Sequence, residues 1–166
     1  LDTSRKWLLE RADKLINAAR SAEQPGLWGW KEPNTHIFLP LLVERIPNLK
    51  YIHVMRHGRD MAWSVNQAQL RFWGEALTGV PTVNGGPEES LRYWCASHRR
   101  VLNIGRQMGE RFLLLNFDDF CRRPEAGIAT LSAFLGVEVG NNLKSKLLGM
   151  VKRPASIGRH KNHRKI

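Results

Sequence analysis

Arg56, Asp60 and Ser64 recur at intervals of four residues within the run KYIHVMRHGRDMAWS, and together they suit the binding of a phosphate. An arginine at a strand tip offers a fork of charge-assisted donors, and a serine early in the next helix adds a hydroxyl. Gly58 permits a tight turn between them. A helix beginning near Asp60 would point its free N–H groups and positive dipole end at the same spot, with Asp60 as its cap. The plainer alternative is a surface ion pair between Arg56 and Asp60.

The elements that must position this turn follow from the apolar pattern. Ser4–Arg20 carries Leu8, Leu9, Ala12, Leu15, Ile16 and Ala19 at helical spacing. Pro25–Gly26 ends the connection. Leu27–Trp30 reads as a buried strand that delivers Lys31 at its end, and Asn34 or Thr35 can cap a helix to about Arg45. Tyr51–Met55 is rich in β-formers and bounded by Pro47–Asn48 and Gly58, so it is predicted as a strand. A helix is predicted from Asp60 to about Arg71. Thr78–Pro87, dense in glycine and proline, is a loop and the expected mobile stretch. From Glu88 to about Met108 a helix presents Leu91, Trp94, Cys95, His98, Val101 and Leu102 on one face. Phe112–Phe117 is the third strand; Pro124–Leu135, stopped by Gly136, and Asn141–Met150 are the last helices. Short apolar strands alternating with helices imply a parallel sheet covered on both faces. Ligands of such sheets bind beyond the strands' carboxyl ends, which puts Lys31 and Arg56–Asp60 in one cleft.

Composition narrows the classes. The 166 residues, 42% of them hydrophobic, suit one globular domain spanning 1–166. No run approaches the roughly 18–20 apolar residues of a membrane helix, and LDTSRKWLLERADK lacks a signal-peptide apolar region. The chain as given reads as soluble, with the cytoplasm favoured as its compartment. Cys95 and Cys121 make no disulfide framework. The net charge is +11, and Lys152–Ile166, the basic tail, supplies six of those charges with no acidic residue. Such a surface attracts polyanions or a phosphate-rich ligand.

An apolar strand followed by R-x-x-x-D-x-x-x-S resembles the 3′-phosphate motif of sulfotransferases that use 3′-phosphoadenosine 5′-phosphosulfate (PAPS). Trp28-Gly-Trp-Lys31-Glu-Pro33 resembles the K-x-P strand end that precedes this motif. Phe112–Pro124, with Phe134-Leu135-Gly136, resembles the family's Y-E-D-L…P…F-L-G segment, Phe117 and Asp118 standing for the usual tyrosine and glutamate. These blocks cover about Leu27 to Gly136. The resemblance implies an α/β fold of three α/β/α layers with a parallel sheet, a partial P-loop NTPase-like sulfotransferase fold. It implies PAPS as the sulfuryl donor, no metal, and a hydroxyl or amine acceptor of unidentified kind.

Carried onto this chain, the resemblance assigns the donor nucleotide to Arg56, Asp60 and Ser64. Lys31 becomes the cation beside the sulfuryl group, and Glu32 and His36 become candidate bases. Ser156-Ile-Gly158-Arg159 resembles the loop that closes over the 3′-phosphate and adenine, with Lys161 secondary to Arg159. The family's Gly-rich 5′-phosphosulfate loop is not visible, and is expected upstream or from another chain. His160 and His163 have spacing that could suit a metal, but no cysteine or carboxylate stands near them in sequence to complete a set. Two other readings compete. A P-loop kinase or NTPase relative would need a Walker lysine loop, and a non-enzymatic polyanion-binding module would act through the tail. Nucleic acid is not the expected partner, because aromatic and basic residues are not interleaved.

Overall fold

The computed structural model describes residues 2–21 and 28–163. Two strands pair in parallel: β1 (Tyr51–Met55) and β2 (Phe112–Asn116), in register from Tyr51 opposite Phe112 to Met55 opposite Asn116. A parallel pair needs a crossover. Helices α3 (Gly58–Ala62), α4 (Ala68–Thr78) and α5 (Pro87–Met108) supply it. The carboxyl ends of both strands therefore lie side by side, with Arg56 following one and Phe117 the other.

The main core lies on one side of this pair. Ala12 and Ile16 of α1 (Asp2–Ser21) pack with Phe38, Leu39 and Leu42 of α2 (Thr35–Arg45), and with Leu49 and Val101. Burial of these aliphatic side chains, at about 1.5–3 kcal/mol each, holds α1 and α2 against α5. Asn34 precedes α2 but does not cap it with its side chain. Its carbonyl oxygen instead accepts from Gln69 and Trp73, tying α2 to α4. The chain ends in α6 (Phe117–Arg122), α7 (Pro124–Leu135), α8 (Asn141–Met150) and a 3₁₀ turn over Arg159–Asn162.

Several expectations need correction. Of the strand expected at Leu27–Trp30, Leu27 lies outside the described residues, as do Pro25–Gly26. Trp28–Trp30 takes up no regular secondary structure, because no described strand lies alongside to complete its hydrogen bonds. The α/β class with parallel pairing holds, but the sheet among the described residues has two strands. The helix expected from Asp60 to Arg71 is broken between Ala62 and Ala68. There Gln67 Nε2 donates to the carbonyls of Met61, Ala62 and Ser64, satisfying the orphan acceptors that close α3. Ser64 thus sits just beyond α3 rather than inside a helix.

The buried face of α5 is also rotated from expectation. It consists of Ser90, Tyr93, Ser97, Val101, Gly105 and Met108, while Trp94 and His98 are half-buried and Cys95 is exposed. Small residues mark close approach here: a Cβ on Gly105 would come within 2.6 Å of the Phe112 ring. Reading only large apolar residues misses such a face. Strand β2 stops at Asn116, whose side chain accepts from the N–H groups of Asp118 and Asp119 and starts α6. The Gly/Pro loop between α4 and α5 is tied down. The Glu89 carboxylate accepts the N–H groups of Val83, Asn84 and Gly86 at 2.9–3.2 Å.

Candidate active site

The turn after β1 is braced from three directions. From the end of β2, the Asp118 carboxylate accepts the His57 N–H at 2.8 Å. Helix α5 brings the Trp94 ring so close that a Cβ on Gly58 would lie 3.0 Å from it. Gly58 is therefore required by contact rather than by backbone freedom, since it does not adopt a positive φ. The tail, about 100 residues further on, folds back over the turn. Arg56 donates to Ser156 Oγ at 2.8 Å, with its guanidinium 5.2 Å from the centre of the Phe117 ring. The Arg56 Nε is sealed from solvent without a hydrogen-bond partner among the described residues.

Asp60, 3% exposed, does something the motif did not announce. It neither caps α3 nor pairs with Arg56. Its carboxylate accepts Gly158 N–H at 2.6 Å, His160 N–H at 2.9 Å and His160 Nδ1 at 2.6 Å. Burial alone would raise its pKa, but the N–H groups of His160 and Gly158 and the His160 ring outweigh it and hold the carboxyl near 2. Gly158, at φ +84°, supplies the left-handed corner that lets both amides converge. Arg159 donates to the Trp63 carbonyl at 3.1 Å, and the rings of His57 and His160 stack 4.5 Å apart. Lys161 is exposed beside Gly158. His57, Asp60 and His160 bring three ligand atoms within 4.8 Å of one another. Both Asp60 oxygens are already taken, however, and stacked rings direct their in-plane lone pairs side by side rather than to one point.

On the other side, Lys31 is exposed at the approach to α2. Glu32 is engaged structurally. Its side chain is 6% exposed, pairs with Arg11, and accepts from the backbone and side chain of Asn34 at 3.1 and 3.0 Å. Burial pushes its pKa up, yet Arg11 and Asn34 prevail and leave it lowered, a poor setting for a base. His36 has both ring nitrogens occupied, Nδ1 by the Pro33 carbonyl at 2.9 Å and Nε2 by the Tyr93 hydroxyl at 3.2 Å. Burial lowers its pKa; the Pro33 carbonyl opposes this and Arg100 adds to it.

The position of His36 depends on a compensation within α2. Pro40 lies inside the helix and has no N–H for the carbonyl of His36, four residues earlier. Arg100 of α5 supplies the missing donor, reaching the His36 carbonyl at 2.6 Å, and also donates to the Ile37 carbonyl at 3.0 Å.

A cavity of about 1150 Å³ joins the two sides. Its lining brings together Lys31, Glu32, His36, Arg56 and Ser64; Asp60, Gly158, Arg159 and Lys161 stand outside it, behind the turn. The same wall holds Tyr51, His53, Tyr93, Trp94 and His98. His53 and His98 are hydrogen-bonded at 2.7 Å, and burial foremost holds both near pKa 4.

A family model described as the sulfotransferase family matches residues 2–141. The chain belongs to the sulfotransferase family. Searches of curated proteins and of solved structures return no match for it. As a sulfotransferase-family chain it carries the Arg56–Ser64 segment and the whole cavity wall inside the matched span, whereas Ser156–Lys161 follow it. None of its described helices is long and apolar enough to cross a membrane. Sequence reasoning named Asp118, Ser156, His160 and His98 as motif or helix-face residues but missed their roles, which come from partners far along the chain. Asp118, Ser156 and His160 brace the turn, Arg100 braces α2, and His53 and His98 lie 45 residues apart. Pro40 within a helical pattern was the one legible signal, since it demands a donor from elsewhere.

Proposed function

We propose that this chain is a PAPS-dependent sulfotransferase acting on a hydroxyl or amine acceptor. The observation that carries the reading is the tail folded onto the phosphate turn, which joins two segments that the resemblance assigns to one nucleotide. In this reading Arg56 and Ser64 hold the 3′-phosphate, with Gly158 and Arg159 closing behind them. A buried guanidinium N–H without a partner fits an anion, because such a donor left unpaired costs about 1–3 kcal/mol. Asp60 serves the nucleotide indirectly, by holding the closing loop, and Lys161 adds positive charge at its rim. Lys31 supplies the cation beside the sulfuryl group, where charge develops on the leaving phosphate. His36 and Glu32 position the wall around Lys31 rather than take a proton, since their acceptor atoms are already engaged. The described residues call for no metal, and the chemistry needs only cations and one base.

Adenosine 3′,5′-bisphosphate is expected to raise the melting temperature of the intact protein, and Arg56→Ala to abolish the rise. Absence of any shift at millimolar nucleotide would count decisively against the reading. A magnesium-dependent shift with ATP instead would favour the kinase or NTPase alternative. Binding that is lost on deleting residues 152–166 and falls steeply with salt would favour the polyanion-binding module.

A further inference from the structure

Three imidazoles line the cavity, and their hydrogen bonds set them apart. His36 is occupied at both nitrogens by the Pro33 carbonyl and the Tyr93 hydroxyl. His53 is likewise occupied at both, by the Tyr51 hydroxyl at 3.3 Å and by His98 Nδ1 at 2.7 Å. The Nε2 of His98 makes no hydrogen bond among the described residues, and it is not one of the unpaired atoms sealed from solvent. Of the three rings, His98 alone keeps a nitrogen without a hydrogen-bond partner among the described residues, and it lines the cavity that Lys31, Arg56 and Ser64 share.

Resting on the sulfotransferase reading above, we infer that His98 is the base that takes the acceptor's proton, with His53 and Tyr51 as its positioning residues. The hydrogen bonds of the pair accommodate this. When the Tyr51 phenol oxygen accepts His53 Nδ1–H, His53 accepts at Nε2 from His98 Nδ1–H, which leaves the lone pair on His98 Nε2. In this arrangement two groups in series hold the ring in one tautomer, as the orienting member of a catalytic triad does.

The step balances. The acceptor oxygen forms a bond to sulfur, and the bond from sulfur to the bridging phosphate oxygen breaks, its electron pair staying on the phosphate. The acceptor proton passes to His98 Nε2, and from there to water. Burial holds the His98 imidazole near pKa 4, so it is neutral and proton-accepting at neutral pH. A base this weak is sufficient, because the acceptor hydroxyl becomes strongly acidic as its oxygen bonds to sulfur.

The test uses intact protein with ¹⁵N-labelled histidine at pH 7. The His98 ring is expected to be protonated at Nδ1 and bare at Nε2, and His53→Ala is expected to mix the two tautomers. A proton on Nε2 in the wild type overturns the inference. With PAPS and 4-methylphenol, an acceptor that stays protonated at neutral pH, His98→Ala should lower kcat by about 10²–10⁴-fold. His98→Asn, which keeps a donor where Nδ1 stood, should lower it as far while folding normally. The melting shift with adenosine 3′,5′-bisphosphate should survive both changes. Unchanged turnover in either variant overturns the inference and leaves the sulfotransferase reading standing. Loss of the nucleotide shift in the wild type removes that reading itself. If the wild type binds nucleotide but leaves 4-methylphenol unchanged, the tautomer alone decides.

Discussion

The turn after β1 and the imidazole wall meet at the Trp94 ring, yet they are built on opposite principles. The turn consists of full charges held by long-range partners: Arg56 on Ser156, and Asp60 on the amides of Gly158 and His160. The wall consists of neutral rings, His53 and His98, kept uncharged by burial and bonded mainly to each other. In the proposed reading the site grips one anion and deprotonates a neutral acceptor, which requires both conditions at once. Positive charge must be fixed where the donor sits, and absent where the acceptor approaches.

The largest test of this contrast is acid. His53 and His98 have folded-state pKa values near 4, below the ordinary 6.5, so the unfolded chain binds more protons between those limits. Their contribution is complete above pH 6.5 and is lost as pH falls toward 4. The loss should reach several kcal/mol, since each tenfold difference in proton affinity between the folded and unfolded chain is worth about 1.4 kcal/mol. Asp60 acts in a lower window. Its contribution is present above its ordinary pKa of 3.8 and is lost toward 2. Urea unfolding across pH 7 to 2 should show the first fall well before the second, and His53→Leu should flatten only the first. A stability curve level down to pH 4.5 would break the comparison.

On the charged side, Arg56→Ala should weaken adenosine 3′,5′-bisphosphate about 10- to 100-fold by calorimetry, the loss of charge-assisted hydrogen bonds. Asp60→Asn should cost about 2 kcal/mol of stability, because one oxygen facing an N–H becomes an amino group. The same variant should make residues 152–163 more susceptible to limited proteolysis than in the wild type. Unchanged cleavage would mean that the carboxylate does not hold the tail.

The smallest effect lies behind the neutral wall. Arg100→Ala should destabilise by about 1 kcal/mol, and by less in a Pro40→Ala background, where residue 40 regains an N–H for the His36 carbonyl. Additive losses in the double-mutant cycle would show that Arg100 does not replace the proline's missing donor.

How much of this was legible followed from range. Tyr51–Met55, the bounds of α8 and the stop at Gly136 were readable because periodicity and glycine act locally. The Arg56–Asp60–Ser64 spacing was equally plain, and β1 does end in a turn there. The spacing could not tell that Asp60 faces the tail, because the amides it binds lie 98 and 100 residues away. Trp28–Trp30 has the composition of a strand, but a strand exists only beside a neighbour. The face of α5 was misread because Ser90, Ser97 and Gly105 pack by being small, a signal that hydrophobicity does not carry. His53 and His98 gave no pattern at all: one sits on a strand, the other on a helix, and only the fold brings them together.

The closure around Asp60 also bears on how the molecule opens. Contacts separated by some 100 residues form only after a large loop is closed, and in exchange for few buried apolar groups. The tail can therefore lift from the turn while the core of α1, α2 and α5 stays folded. Hydrogen exchange at the Gly158 and His160 amides should report this local opening, with protection well below that of amides in β1. Ligand held beneath the tail would slow that exchange selectively, so these two amides measure site closure independently of global unfolding.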